Sequence, residues 1–187
     1  MIKLKFLCIG DSLTFGYGLY KNQCWVDLLN INTSHKFINK GCNGDTTSGM
    51  LSRFSKELEK DSFDGIFIMG GSNDLLSGRH LNYIEDNLIL MVNEALEKNL
   101  KVFLLIPPLF FPPLAKKLWS SNIDYENSNK NIKLLKENLT KKFLNNNHIK
   151  ILDLSSIIPN FESYYLDGIH LTYESNKLIF NNIITTL

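Results

Sequence analysis

Leu4-Lys5-Phe6-Leu7-Cys8-Ile9-Gly10-Asp11-Ser12-Leu13-Thr14-Phe15-Gly16 is the stretch whose reading decides the fold. Residues 4–9 are rich in strand formers and too few for a helix of their own. A strand that ends in Gly10-Asp11-Ser12 delivers a serine hydroxyl to the carboxyl edge of a sheet, where open α/β sheets bind their ligands. Gly10 lets backbone or substrate come close, and Gly16 and Gly18 punctuate the loop that follows. Two readings of Ser12 stand together here: a hydroxyl presented to a ligand, or the cap of the next turn.

Outward from this stretch, strand-like and helix-like patterns alternate, which predicts a parallel sheet covered by helices on both faces. Strands are expected at residues 4–9, 36–39, 65–69, 101–106 and 149–152, the third and fourth almost wholly apolar. Met50, Leu51, Phe54 and Leu58 repeat at helical spacing, with Arg53, Lys56 and Glu57 expected to face outward. Leu81, Ile84, Leu88, Val92 and Ala95 mark a second helix, and Ile132, Leu135, Leu139 and Phe143 a third. Thr172 is placed to cap a last helix carrying Ile179, Ile183 and Leu187. One segment breaks the alternation: Pro107-Pro108-Leu109-Phe110-Phe111-Pro112-Pro113-Leu114, with Trp119 shortly after. Its four prolines argue against regular helix or central strand. A loop this apolar at the carboxyl edge either packs under its neighbours or lines a pocket, so Leu109, Phe110, Phe111 and Trp119 are candidate pocket residues.

Three later segments bear on Ser12. They are Asn39-Lys40-Gly41-Cys42-Asn43-Gly44-Asp45-Thr46-Thr47, Gly70-Gly71-Ser72-Asn73-Asp74 and Asp167-Gly168-Ile169-His170. Ester hydrolysis needs a nucleophile, a base, and donors for the oxygen of a tetrahedral intermediate. Ser12 is the candidate nucleophile. His170 suits the base, since an unperturbed imidazole titrates near ~6.5. Asp167, three residues earlier across Gly168, can reach that ring and hold one tautomer. The backbone N–H of Ser12, a Gly44 N–H unobstructed by a side chain, and the Asn73 amide are candidate oxyanion donors.

In this order, each after the right kind of element, the four segments resemble the SGNH subgroup of the GDSL esterases and lipases, over essentially the whole chain. The resemblance implies a flavodoxin-like three-layer α/β/α sandwich with a central five-stranded parallel sheet. It implies carboxylic ester hydrolysis through an acyl-enzyme on Ser12, with Ser12, Gly44 and Asn73 as oxyanion hole and Asp167 and His170 completing the set. It also implies catalysis without metal or organic cofactor. Asp11, Asp45, Asp74 and Asn39, beside these residues, are expected to fix the loops by hydrogen bonds. The substrate is left open between a small or acyl-chain ester, including lipids and thioesters, and an O-acetyl group on a sugar. Two readings of other classes stand beside it: a non-catalytic flavodoxin-like ligand-binding module, and a protein that uses the apolar loop as a contact patch. No G-x-S-x-G elbow, P-loop or G-x-G-x-x-G occurs.

Composition narrows the partners. The 187 residues predict one domain, residues 1–187, and the 44% hydrophobic and 21% charged content is ordinary for a globular protein. A formal net charge of +1 without long single-sign runs gives no footprint for nucleic acid. Lys116-Lys117 and Lys141-Lys142 read as solvated helix faces. Cys8, Cys24 and Cys42 are odd in number and contain no C-x-x-C pair, which argues against a disulfide framework or zinc site. His35, His80, His148 and His170 show no metal-ligand spacing. No apolar run is long enough to span a membrane and no leader-like segment precedes the first strand, so a cytoplasmic location is expected, with no integral membrane association. The expected partner is a small-molecule ester; the oligomeric state is not legible.

Overall fold

A computed structural model describes residues 3–187. Among them, five parallel strands form one sheet: β1 (Lys5–Gly10), β2 (Lys36–Gly41), β3 (Gly65–Met69), β4 (Lys101–Ile106) and β5 (Ile149–Asp153). Their spatial order is β2-β1-β3-β4-β5. The connection from β1 to β2 carries α1 (Ser12–Phe15) and α2 (Trp25–Asn32), and α3 (Thr47–Leu58) leads to β3. Then α4 (Ser72–Leu76) and α5 (Leu81–Glu97) precede β4, and α6 (Pro112–Leu118) and α7 (Tyr125–Phe143) precede β5. The chain continues through α8 (Leu154–Ile157), a 3-10 turn (Glu162–Tyr164) and α9 (Tyr173–Ile184).

Successive strand side chains point to opposite faces, so a strand buried on both sides must be apolar throughout. Leu7, Ile9, Ile66, Ile68, Val102 and Leu104 pack with α3, α5 and α7 on one face. Phe6, Cys8, Phe67, Phe103 and Leu105 pack with α2 and α9 on the other. Four phenylalanines cross that second face. Phe6 stacks on Phe37 at 5.0 Å, Phe67 on Phe103 at 4.4 Å, and Phe6 meets Phe67 edge-on at 5.6 Å. The sheet winds one way from β1 to β2 and the other way from β3 onward, which opens a crevice at the carboxyl ends of β1 and β3. The loops after β1, β2 and β3 therefore meet at one edge.

The observed strands extend the expected ones by one or two residues, to Gly10, Gly41 and Asp153. Three local readings need correction. The cap of α1 is Asp11, whose carboxylate accepts the Leu13 N–H at 2.9 Å, so the Ser12 hydroxyl is not used as a cap. Pro112 and Pro113 open α6 rather than prevent it, because first-turn residues need no N–H donor. On α3, Glu57 is buried rather than outward, receiving Lys40 at 3.2 Å and Lys60 at 2.6 Å. Arg53 on the same helix turns inward toward β1. Cys8 and Cys24 are buried, Cys42 is exposed, and all three are free thiols. Among the described residues no helix is long and apolar enough to cross a membrane.

Candidate active site

Ser12 sits at the first position of α1, just past the end of β1, and is 6% exposed. Its Oγ lies 3.0 Å from Nε2 of His170, a residue 158 positions later in the chain. The other ring nitrogen, Nδ1, lies 2.7 Å from Oδ2 of Asp167. Oδ1 of Asp167 accepts the backbone N–H groups of Ile169 at 2.9 Å and His170 at 2.8 Å. Burial pushes the Asp167 carboxyl up, but the His170 side chain and these N–H groups more than reverse it, leaving the group below its ordinary range. An ionised Asp167 keeps the proton on Nδ1 and leaves Nε2 to accept from Ser12. Gly168 makes the bend possible: its φ is +87°, and a Cβ there would lie 2.3 Å from the Ala115 nitrogen.

Gly44 and Asn73 come from the loops after β2 and β3. Gly44 has φ +75°, and a Cβ there would meet nothing within 4 Å, so its backbone is open to a ligand. Among the described residues neither the Ser12 nor the Gly44 N–H donates to another backbone carbonyl. Asn73 lies in the first turn of α4 and donates one amide hydrogen to the Asp45 carbonyl at 2.8 Å. The second amide hydrogen has no such partner.

The neighbouring polar residues hold these loops. Asp74, fully buried, accepts both the N–H and the hydroxyl of Thr47, at 2.8 and 2.9 Å. Asp45 receives Arg53. Asn39 donates to the Thr14 carbonyl and accepts the Gly41 N–H, both at 2.9 Å. Asp11 is also fully buried, and among the described residues its Oδ2 has no hydrogen-bond partner. Burial pushes its carboxyl up to about 7, against the pull of the Leu13 N–H and His170; Asp45 and Asp74 push the same way as burial.

Of the four candidate pocket residues, one reaches the site. The Trp119 ring meets His170 edge-on at 5.5 Å and is 51% exposed. Phe110 is a core residue, 2% exposed and packed edge-on against Tyr125 at 5.9 Å. Phe111 stacks on Tyr165, and Leu109 packs against the core while its carbonyl accepts the Tyr165 hydroxyl at 2.8 Å. Tyr17, which sequence reasoning missed, lies over the His170 ring at 4.3 Å and 37°. Its signal was an aromatic residue between Gly16 and Gly18, five positions after the candidate serine. Arg53 was missed because the sequence offers its contacts no signal. Among the described residues no cluster of three or more His, Cys, Asp or Glu could hold a metal.

A doubly wound parallel sheet here carries Ser12, His170 and Asp167 in hydrogen-bonded sequence at its switch-point edge, an α/β protein with a serine–histidine–aspartate site. The chain belongs to the GDSL-like lipase/acylhydrolase family, which it matches over residues 8–178. It is 32% identical over 114 residues to Esterase TesA of Pseudomonas aeruginosa, a match spanning 57% of each chain. It is 31% identical over 112 residues to Arylesterase of Vibrio mimicus, spanning 56% of each. The chain thus spans little more than half the length of these curated relatives. Among solved structures it is similar to a lipolytic protein of the G-D-S-L family from Veillonella parvula (TM-score 0.84, 20% identity, 98% of this chain and 97% of that one). It is also similar to the psychrotrophic esterase EstA from Pseudoalteromonas sp. (TM-score 0.75, 21% identity, 98% and 96%). At these identities the structural likeness bears on the fold alone.

Proposed function

We propose that this chain hydrolyses carboxylic esters through a covalent acyl-enzyme on Ser12. The observation that carries this reading is the continuous path from Ser12 Oγ through His170 to Asp167, at 3.0 and 2.7 Å. In the first half-reaction Oγ attacks the ester carbon while Nε2 of His170 takes its proton. The oxygen that becomes negative is received by the N–H groups of Ser12 and Gly44 and the free amide hydrogen of Asn73. Collapse expels the alkoxide, which takes the proton back from Nε2. Water then repeats the sequence, releasing the acid and restoring Ser12.

This chemistry assigns the two sides of the substrate. The ring that hands its proton to the leaving alcohol is flanked by Tyr17 and Trp119, so the alcohol portion lies against these aromatics. The carbonyl oxygen points toward Gly44 and Asn73. A small or acyl-chain ester with an apolar alcohol fits best. The O-acetyl sugar reading draws on the half-exposed Trp119 ring, since an indole face also stacks on a sugar. Ser12→Ala should keep its fold and lose on the order of a million-fold in turnover. A panel of activated esters from acetate to long acyl chains, run beside acetylated sugars, tests both readings. Near-normal hydrolysis by folded Ser12→Ala would remove the acyl-enzyme, and turnover confined to the sugars would favour the second substrate class.

A further inference from the structure

Three loops supply the candidate oxyanion donors, and one side chain ties two of them together directly and the third at one remove. Arg53, on α3, sends Nε and Nη2 to the Asp45 carboxylate at 2.9 and 2.8 Å. Nη2 also donates to the Gly10 carbonyl at 3.1 Å, the last residue of β1 and two before Ser12. That carbonyl also receives the Cys42 N–H at 3.0 Å. Asp45 follows Gly44 directly, and its backbone carbonyl is the acceptor that fixes the Asn73 amide. The Arg53–Asp45 pair therefore touches the Ser12 donor through Gly10, the Gly44 donor through its neighbour, and the Asn73 donor through a shared carbonyl. A Cβ at Gly44 would meet nothing within 4 Å.

The pair is partly shielded, with 24% of the Arg53 side chain and 12% of the Asp45 side chain exposed. A planar guanidinium presents parallel donors that a lysine ammonium cannot reproduce. Gly49 completes the device: a Cβ there would lie 2.0 Å from Asp45 Oδ1, so the carboxylate lies flat on the start of α3.

We infer that Arg53 is a positioning residue that sets the spacing of the three oxyanion donors, a role that rests on the hydrolase reading above. Donors aimed at charge that develops only in the transition state act on turnover, not on ground-state binding. A displacement of about 1 Å in such groups costs roughly a hundred-fold in rate.

The test is steady-state kinetics of Arg53→Met, Arg53→Lys and Arg53→Ala on an activated acetate ester, with melting temperature measured on each. Arg53→Met should lose roughly ten- to a hundred-fold in kcat with KM held within about threefold. Arg53→Lys should recover little of the loss, and millimolar guanidinium should restore part of the turnover of Arg53→Ala. In an Asn73→Ala background the penalty of Arg53→Met should shrink, because part of it passes through that amide. A folded Arg53→Met with near-normal kcat, or a loss that tracks melting temperature alone and multiplies fully with Asn73→Ala, would overturn the role while leaving the hydrolase reading intact. A wild-type protein inert toward every ester would overturn both.

Discussion

Asn73 has two amide hydrogens, and one is committed to the Asp45 carbonyl. The other is the one that a negative oxygen would recruit, so Asn73→Ala should lower kcat by roughly a hundred- to a thousand-fold with a smaller change in KM. Steady-state kinetics on one activated ester checks this; a change confined to KM would make Asn73 a binding residue. Asp11 supports a different prediction. Burial holds its carboxyl at about 7, above the unfolded value near ~3.9. The folded chain then binds the extra proton, so stability falls as pH rises from about 4 to about 7 and is fully reduced above that. The loss is about 1.4 kcal/mol for each pH unit crossed with Asp11 protonated only in the fold. Asp11→Asn keeps an acceptor for Leu13 and removes the titration, so its stability should decline less between pH 5 and 8, as urea unfolding at the two values would read. An equal decline in both proteins would place Asp11 ionised in the fold. Ser12, Gly44, Asn73, Asp167 and His170 could be named as candidates because four short motifs stand in order, each after the right kind of element, and the structure joins Ser12, His170 and Asp167 in one hydrogen-bonded path. Tyr17 and Arg53 could not, because stacking on His170 and bridging to Gly10 depend on where remote segments fold.

The segment after β4 shows how an element can mislead when read alone. Its prolines argued against helix, yet two of them start α6, and the remaining loop is pinned from both sides. Asn129 on α7 receives the Phe110 N–H at 2.8 Å and donates to its carbonyl at 3.0 Å. On the other side the Phe111 N–H reaches the Gly168 carbonyl at 2.8 Å. Apolar content announced that this stretch packs against something, but could not say which ring turns into the core and which toward His170. Their consequences should separate cleanly. Phe110→Ala should destabilise by about 3–5 kcal/mol and leave ester preference unchanged. Trp119→Ala should leave melting temperature nearly unchanged and cost roughly ten-fold in kcat/KM for esters of bulky apolar alcohols, relative to methyl esters of the same acid. Unfolding curves and an alcohol series at fixed acyl group, run on both variants, check the pair. Loss of alcohol selectivity in Phe110→Ala, or none in Trp119→Ala, would reverse the assignment. The strands were easier: β3 and β4, almost wholly apolar, fall at the expected bounds, and only the ends of β1, β2 and β5 moved.

At the scale of the molecule, the alternation of elements was enough to predict a parallel sheet between two helical layers, since parallel strands require covered faces. The order of the strands was not legible: the crossing from β2 past β1 to β3 is decided by which apolar faces fit together, and no local pattern records it. Helices α2 and α9 are joined across that fold. The Trp25 N–H on α2 reaches the Asn176 side chain on α9 at 3.0 Å, beside the junction of Ser12 with His170. This has a bearing on biosynthesis. Ser12 leaves the ribosome before its hydrogen-bond partner His170, which follows 158 residues later. At about 5–20 residues per second, that interval is on the order of ten seconds. All five strands precede Asp167 and His170, so a nascent chain can complete its sheet while Ser12 still lacks its contact with His170.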